Sequence, residues 1–327
     1  MTLWPPLRQE IKFRAYEYFV GLTRNPEWFW MRRTGRSQIF RRVSHSLRQR
    51  QYRMQPPMSA PVTGDRAALS HFPDLDIPPI VKSLEQTGLY QKLQLPEAVV
   101  QSVVAFAQTT PCYGNGRPSL GFFYRHQAAA RQECPQPLVT ATYLNADRDC
   151  DAIQTLVQDA GLRAIAAAYL QAPPVYLGSR LWWSFPSSSL SQSTCPVTQA
   201  FHYDLDGYRF LKFFFYLTEV DENSGPHIYM QGTHRCMKWR HRLLRKRYRD
   251  RAILDAYGCT PWTVLCGPAG YGFVEDTFGF HKGAVPVTRD RLILQIEYGV
   301  KDYGMEHQTV AQHHLRLLPG QEALTNG

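Results

Sequence analysis

Residues 201–207 read Phe-His-Tyr-Asp-Leu-Asp-Gly. Side chains two residues apart on an extended strand project to the same side, so His202 and Asp204 can share one partner. A neutral imidazole and a carboxylate oxygen are ligands that suit iron(II). Two ligands are too few, and His281, in Gly-Phe-His-Lys-Gly at 279–283, supplies the third candidate. Two histidines and one carboxylate on one octahedral face leave positions open for a co-substrate and O2.

An arginine follows His281 by ten residues and opens the last predicted strand. Arg291 begins the run Arg-Leu-Ile-Leu-Gln-Ile-Glu-Tyr at 291–298. Its guanidinium can bind a carboxylate through two parallel hydrogen bonds, which is what the far end of a dicarboxylate co-substrate requires. Arg289 is the alternative, but it falls in the turn at 286–290, where we expect it to meet solvent. Placement on the strand therefore favours Arg291.

Two further histidines and a tryptophan pair are weaker candidates. His227 and His234 lie in the stretch Gly-Pro-His…Gly-Thr-His, where we expect them to satisfy backbone groups at turns. Trp182 and Trp183 precede the predicted metal strand. Because side chains alternate along a strand, one of them should face the core and the other should line the substrate cavity.

Composition and pattern together predict an α+β protein. The chain has 327 residues, of which 44% are hydrophobic and 13% are aromatic, enough to fill a sizeable core. The first half is predicted to be helical, with helices at 80–95, 96–109 and 149–170. Roughly eight short strands between about 175 and 299 then predict a double-sheet, cupin-like jelly roll, with the helical N-terminal half packed on it.

The domain division follows from local composition. Residues 1–56 are a basic, partly helical arm, with a helix predicted at 5–22. Residues 57–66 fall in a run rich in Pro and small residues, which predicts a linker. Residues 67–327 then form the catalytic domain, with a basic insertion at 236–257.

Positive charge is concentrated in two segments. The formal net charge is +10, to which residues 1–56 contribute +9 and residues 235–251 contribute +8, so the rest of the chain carries −7. Such patches predict an anionic partner, which is a nucleic acid, an anionic membrane surface or a phosphate-bearing substrate. A solvated basic face that helps solubility is the alternative.

Cysteine usage and hydropathy predict a cytoplasmic protein. Seven cysteines are an odd number and none falls in a CxxC pair, which is typical of reduced thiols and not of a disulfide framework or a structural zinc site. No apolar run reaches the ~20 residues that span a bilayer. The first 21 residues also lack the apolar region of a signal peptide.

The stretch from about 175 to 299 resembles the phytanoyl-CoA dioxygenase family of iron(II)/2-oxoglutarate-dependent oxygenases. The matching pieces occur in order: Phe-His-Tyr-Asp (201–204), Phe-Phe-Tyr-Leu-Thr-Glu-Val-Asp-Glu-Asn-Ser-Gly-Pro-His (214–227), Gln-Gly-Thr-His-Arg (231–235), Val-Glu-Asp-Thr-Phe-Gly-Phe-His-Lys-Gly (274–283) and Arg-Leu-Ile-Leu-Gln (291–295). The resemblance implies a double-stranded β-helix. It also implies that His202, Asp204 and His281 hold iron(II) and that Arg291 anchors the co-substrate 2-oxoglutarate.

The same resemblance implies a dioxygenase that hydroxylates a C–H bond of a small-molecule or lipid-type substrate, releasing succinate and CO2. In the related halogenases a small residue replaces the carboxylate ligand, so Asp204 favours hydroxylation. Desaturation or ring closure by the same iron chemistry stays open. The insertion at 236–257 and the arm at 1–56 have no counterpart in the family pattern, so the substrate stays open as well.

The basic segments lead to an alternative reading. The chain would then be a basic nucleic-acid- or membrane-binding protein whose oxygenase core acts on a nucleic acid or a lipid head group. No recognised nucleic-acid motif accompanies the charge, which argues against nucleic acid. Peripheral contact with an anionic membrane through residues 1–53 is the other form of this hypothesis.

Overall fold

The structure is a computed structural model of the 327-residue chain. It describes residues 22–54, 70–186, 200–243, 245–258, 262–304 and 310–321. The linker predicted at 57–66 lies outside these ranges, as does all but the last residue of the helix predicted at 5–22.

Eleven α-helices lie wholly within these ranges, and most of them precede the sheet strands of the second half. They are α1 (Pro26–Thr34), α2 (Gln38–Met54), α3 (Ile77–Thr87), α4 (Glu97–Thr109), α5 (Gln127–Glu133), α6 (Ala146–Asp149), α7 (Asp151–Val157), α8 (Ala160–Leu170), α9 (Thr233–Cys236), α10 (Trp239–Leu243) and α11 (Asp250–Tyr257). Short 3-10 helices occur at Tyr124–His126 and Gln312–His314.

The strands of the described chain form two antiparallel sheets. They are β1 (Leu89–Gln94), β2 (Cys112–Gly114), β3 (Gly121–Phe122), β4 (Thr140–Tyr143), β5 (Val175–Ser184), β6 (Phe210–Tyr216), β7 (His227–Met230), β8 (Trp262–Leu265), β9 (Tyr271–Glu275), β10 (His281–Gly283) and β11 (Arg291–Gly299). Eight of them pair in the order β1-β9-β6-β11-β5-β4-β2-β3, and the other three pair in the order β10-β7-β8.

The large sheet is covered on both faces. On one face, Leu292 of β11 belongs to a hydrophobic cluster with Leu84 of α3 and other helical residues. On the opposite face, Ile293 of β11 shares a cluster with Tyr229 of the small sheet. Because side chains alternate along β11, this strand separates a helical layer from the space between the two sheets.

The first half of the chain is less purely helical than its sequence predicts, since it contributes β1 to β4 to the large sheet. The helix predicted at 80–95 ends before Gly88, which adopts a left-handed φ of 82° and is followed directly by β1. The helix predicted at 149–170 is two helices, because the carboxylate of Asp159 accepts hydrogen bonds from the first N–H groups of α8 and so starts a new helix.

Helices α1 and α2 belong to the predicted basic arm and contact the rest of the molecule. Met31 is buried in a cluster with Leu205, and the hydroxyl of Thr34 lies 2.6 Å from that of Tyr208. These contacts hold the described part of the arm against the segment that follows His202.

The combination of helices with antiparallel sheets confirms the α+β class. Seven strands, β5 to β11, lie between residues 175 and 299 of the described chain, where the sequence predicts roughly eight. The double-stranded β-helix remains a prediction at this point. In the part of the chain that the structure describes, no helix is both long and apolar enough to cross a membrane.

Candidate metal centre

Three residues far apart in sequence meet because two backbone segments pair. The N–H of His202 donates to the carbonyl of His281 (3.0 Å), and the N–H of His281 donates to the carbonyl of His202 (2.9 Å). The N–H of Asp204 donates to the carbonyl of Thr277 (2.8 Å). His202 therefore lies in an isolated β-bridge and not in a regular strand, and it is this pairing that brings the three side chains together.

The three side chains are close enough to hold one ion. One nitrogen or oxygen donor from each of His202, Asp204 and His281 lies within 4.8 Å of the other two. Nε2 of His281 is 3.5 Å from Oδ2 of Asp204, and Nε2 of His202 is 3.9 Å from its Oδ1. Two imidazoles and a carboxylate form a donor set that suits a divalent transition metal such as iron(II).

Both imidazoles present Nε2 to the site. Nδ1 of His202 lies 3.1 Å from the carbonyl oxygen of Ala200, and Nδ1 of His281 lies 3.0 Å from that of Gly279. A carbonyl only accepts hydrogen bonds, so Nδ1 carries the proton and Nε2 keeps its lone pair. Burial, reinforced by His281, lowers the pKa of His202 to about 3, and burial also lowers the pKa of His281. Both rings are therefore neutral, as metal binding requires.

Lys212 of β6 binds one oxygen of Asp204 and so fixes the carboxylate. Its Nζ lies 2.8 Å from Oδ2 of Asp204, 2.8 Å from Oδ2 of Asp206 and 3.4 Å from Oε2 of Glu297. Burial opposes the charge of Asp204, but the cation of Lys212 outweighs it and holds the pKa of Asp204 well below its usual range. Asp204 is therefore ionised, and its Oδ1 is directed toward His202.

Arg291 is a buried guanidinium that lines the same cavity as the triad. Only 4% of the residue is exposed. It donates to the carbonyl of Gly225 and to Oγ of Ser184 (3.0 Å), while its Nε has no hydrogen-bond partner in the described chain. No carboxylate among the described residues pairs with it. Because a buried cation without a counter-charge is unfavourable, the cavity is suited to an anionic group at this point.

Arg289 has the opposite surroundings. Its side chain is half exposed and pairs with Glu219 at 2.9 Å and with Asp221 at 2.6 Å. The structure thus places Arg289 on the surface with two carboxylates, and Arg291 inside the cavity with none among the described residues.

The cavity has a volume of about 280 Å³ and lies on the inner face of the large sheet. Alternate residues of β11 form one wall: Arg291, Ile293, Gln295 and Glu297. Trp182 lines the cavity, while Trp183 is buried in the core and donates through Nε1 to the hydroxyl of Tyr143 (2.7 Å). The alternation predicted for this tryptophan pair is confirmed.

His227 is closer to the site than its sequence context predicts. It lies in β7 and lines the cavity, where its ring stacks on His281 with centroids 5.6 Å apart. Its Nε2 approaches Oε1 of Glu275 to 2.8 Å without the alignment of a hydrogen bond. The prediction that His227 satisfies a backbone group at a turn is wrong. For His234 it is confirmed in part, since Nε2 lies 3.3 Å from the backbone carbonyl oxygen of Glu85, but Glu85 belongs to helix α3 and not to a turn.

The charged residues behind the triad were not foreseen from the sequence. Lys212 is the only charged residue in Phe-Leu-Lys-Phe-Phe-Phe-Tyr at 210–216, and a charge inside an apolar strand requires buried partners. Glu297 lies on the same face of β11 as Arg291, six residues further on, which places it in the same cavity. Both the isolated lysine in an apolar strand and the spacing of Glu297 from Arg291 can be read from the sequence alone.

No protein-family model matches the sequence, and no curated protein matches it. Solved structures do match. The epimerase SnoN in complex with Fe3+, alpha ketoglutarate and nogalamycin RO has a TM-score of 0.50 at 14% identity, and the match covers 76% of this chain and 91% of that one. HygX from Streptomyces hygroscopicus, with nickel, 2-oxoglutarate and hygromycin B bound, has a TM-score of 0.47 at 16% identity, covering 68% and 86%. EctD from S. alaskensis with bound Fe has a TM-score of 0.47 at 14% identity, covering 73% and 85%.

The likeness to SnoN shows a shared fold. Since no family model matches, membership of the phytanoyl-CoA dioxygenase family is not confirmed and remains a resemblance. The comparison shows that this chain has the fold of a structure that was solved with iron and alpha ketoglutarate bound.

Proposed function

We propose that the protein is an iron(II)- and 2-oxoglutarate-dependent dioxygenase. One observation carries the proposal, which is that two imidazoles, a carboxylate and a buried guanidinium without a carboxylate partner among the described residues share one cavity. The nitrogen and oxygen donors fit iron(II), and the buried guanidinium fits the free carboxylate of 2-oxoglutarate. The fold shared with SnoN supports the same assignment.

The triad would hold the metal through Nε2 of His202, Nε2 of His281 and Oδ1 of Asp204. When bound, iron(II) and 2-oxoglutarate supply an O2-dependent oxidation with succinate and CO2 as co-products. The backbone carbonyls that accept from Nδ1 fix the tautomer and orientation of both rings. Lys212 binds Oδ2 of Asp204, which leaves Oδ1 as the ligand atom.

Arg291 would receive the far carboxylate of 2-oxoglutarate. Its hydrogen bonds to Gly225 and Ser184 hold the guanidinium in one orientation before any ligand arrives, which reduces the entropy lost on binding. Phe214 and Ile293 line the same cavity and keep water away from this ion pair.

The reaction that we propose is hydroxylation of a C–H bond. Asp204 occupies the position that a halogenase leaves open for chloride, so the site favours transfer of oxygen. Desaturation and ring closure are the alternatives, and the shared fold does not choose among them, since SnoN is an epimerase.

The substrate that we propose is a small molecule or a lipid-type molecule, since a cavity of about 280 Å³ accommodates one such group beside the metal. We propose in addition that the protein is related to the phytanoyl-CoA dioxygenase family, that its sheets form a double-stranded β-helix and that it is cytoplasmic. A nucleic-acid substrate is not proposed, because the basic segments lack a recognised nucleic-acid motif.

Anaerobic titration of the full chain with iron(II) and 2-oxoglutarate tests the proposal. We expect one iron per chain and a visible metal-to-ligand charge-transfer band when 2-oxoglutarate is added. His202→Ala should lose both, whereas His313→Ala, which alters an exposed histidine, should retain both. Thermal unfolding without metal shows whether both variants are folded. Retention of stoichiometric iron by a folded His202→Ala protein would refute the proposed triad.

A further inference from the structure

Helix α2 packs against the molecule with its polar side. Four residues spaced three or four apart face inward: Gln38, Arg41, His45 and Gln49. The guanidinium of Arg41 lies 3.8 Å from the centre of the Phe278 ring, and Nε2 of His45 lies 2.8 Å from the guanidinium of Arg209. These contacts fix the rotation of the helix about its axis.

The apolar side of the same helix faces solvent. Ile39, Phe40, Val43 and Leu47 are 73%, 54%, 50% and 60% exposed. With 3.6 residues per turn, these four side chains fall within an arc of about 100°, opposite the four inward-facing residues. An amphipathic helix ordinarily buries its apolar stripe in its own protein, so this arrangement is inverted. A contiguous exposed apolar surface marks an interaction site.

Exposed arginines accompany this face. Arg42 and Arg50 of α2 are exposed, and residues 22–54 contain nine arginines and a single acidic residue in sequence. Two more exposed apolar side chains, Trp239 and Leu243, lie on α10, where the Leu243 carbonyl accepts a hydrogen bond from the turn that precedes α2. The surface therefore combines apolar side chains with guanidinium groups.

We infer that the exposed face of α2 binds the surface of an anionic lipid bilayer. Apolar side chains flanked by arginines are the pattern of a helix that lies in the bilayer interface, where the apolar groups enter the acyl boundary and the guanidinium groups meet lipid phosphates. A second copy of the chain is a poorer occupant, since two such faces would bring arginines together. Nucleic acid is poorer too, because aliphatic side chains offer little to bases or phosphates. The inference does not depend on what the metal triad catalyses.

Sedimentation with sucrose-loaded vesicles tests this on the full 327-residue chain. Vesicles of phosphatidylcholine are compared with vesicles that also contain phosphatidylglycerol, at one ionic strength. The test variant carries Val43→Gln and Leu47→Gln, which leave the inward-facing polar residues intact. The control variant carries Val287→Gln and Leu317→Gln, which alter the same exposed residue types elsewhere on the molecule.

We expect the wild type and the control variant to bind the anionic vesicles and to bind phosphatidylcholine weakly, and the test variant to bind the anionic vesicles about tenfold less. Thermal unfolding checks that both variants are folded. Equal vesicle binding by the two variants, or none by the wild type, overturns the inference. Two other outcomes also overturn the inference when the wild type does not bind vesicles. The first is a dimer in light scattering that the test variant does not form, because the occupant is then a second copy. The second is an oligonucleotide complex that the test variant does not form, because the occupant is then a nucleic acid.

Discussion

Arg289 and Arg291 are two residues apart, yet their side chains have different charge environments. Arg289 is half exposed and is neutralised by two carboxylates, whereas Arg291 is buried and contacts a carbonyl and a hydroxyl. A guanidinium that already has carboxylate partners gains little from another anion. A buried one without such partners gains much, because the unfavourable burial of its charge is then offset.

Removing Arg291 should therefore affect the co-substrate and not the metal. We expect Arg291→Ala to weaken 2-oxoglutarate binding by about 2–5 kcal/mol, the loss typical of a buried charge-assisted pair, while iron binding is largely kept. Anaerobic titration of the charge-transfer band measures both. Arg289→Ala is the matched control and should leave the affinity unchanged. If the two variants exchange these results, the anchor is Arg289, and if neither changes, the cavity does not bind 2-oxoglutarate through an arginine.

Lys212 is the second residue whose loss has a specific consequence. It is the common partner of Asp204, Asp206 and Glu297, so Lys212→Met would leave two partly buried carboxylates and one buried carboxylate without their cation. We expect a loss of about 3–5 kcal/mol of stability and weaker iron binding. Lys301→Met, which removes a lysine paired with Glu27 near the surface, should have a much smaller effect.

Urea unfolding of the metal-free proteins measures the stability, and iron titration measures the affinity. If Lys212→Met unfolds at the same urea concentration as Lys301→Met and keeps full iron affinity, Lys212 does not hold the carboxylates in place.

The junction of α3 and β1 places a helix and a strand next to the segments that carry the candidate metal ligands. Gly88 ends α3, and its carbonyl accepts a hydrogen bond from the N–H of Asp276 (2.9 Å), one residue before Thr277. The carbonyl of Thr277 in turn accepts a hydrogen bond from the N–H of Asp204. Backbone hydrogen bonds therefore connect the position of this junction to the position of Asp204.

A side chain at this junction should therefore be poorly tolerated. Gly88 has a φ of 82°, and an added Cβ would collide with the Tyr229 hydroxyl and lie 2.6 Å from Nδ1 of His234. We expect Gly88→Ala to cost about 2 kcal/mol or more. Gly116 also has a positive φ, of 71°, but no atom lies within 4 Å of its added Cβ, so Gly116→Ala should show only the backbone cost of about 1 kcal/mol. Thermal unfolding compares them, and equal losses would show that the junction is not tightly packed.

Across the whole molecule, the correct predictions were those that rest on the alternation of residues along a strand. Alternation along β11 separates Arg291 and Glu297 from the core-facing residues, and it also separates Trp182 from Trp183. The closeness of His202, Asp204 and His281 was foreseen, but for an incomplete reason, because His202 lies in an isolated bridge and only His281 of the three lies in a regular strand.

The features that the sequence did not predict depend on contacts between segments that are distant in the chain. Strand β1 directly follows a helix and exists because β9 offers it a pairing edge, which no local periodicity reveals. The inverted orientation of α2 is likewise invisible in a hydrophobic pattern, which shows that the helix has two sides but not which side faces the protein.

The most direct measurement is anomalous diffraction at the iron edge from crystals grown anaerobically with iron(II) and 2-oxoglutarate. We predict one peak per chain at bonding distance from Nε2 of His202, Nε2 of His281 and Oδ1 of Asp204, with the far carboxylate of the co-substrate paired to Arg291. A peak at any other set of side chains, or none beside these three in crystals that contain stoichiometric iron, would contradict it.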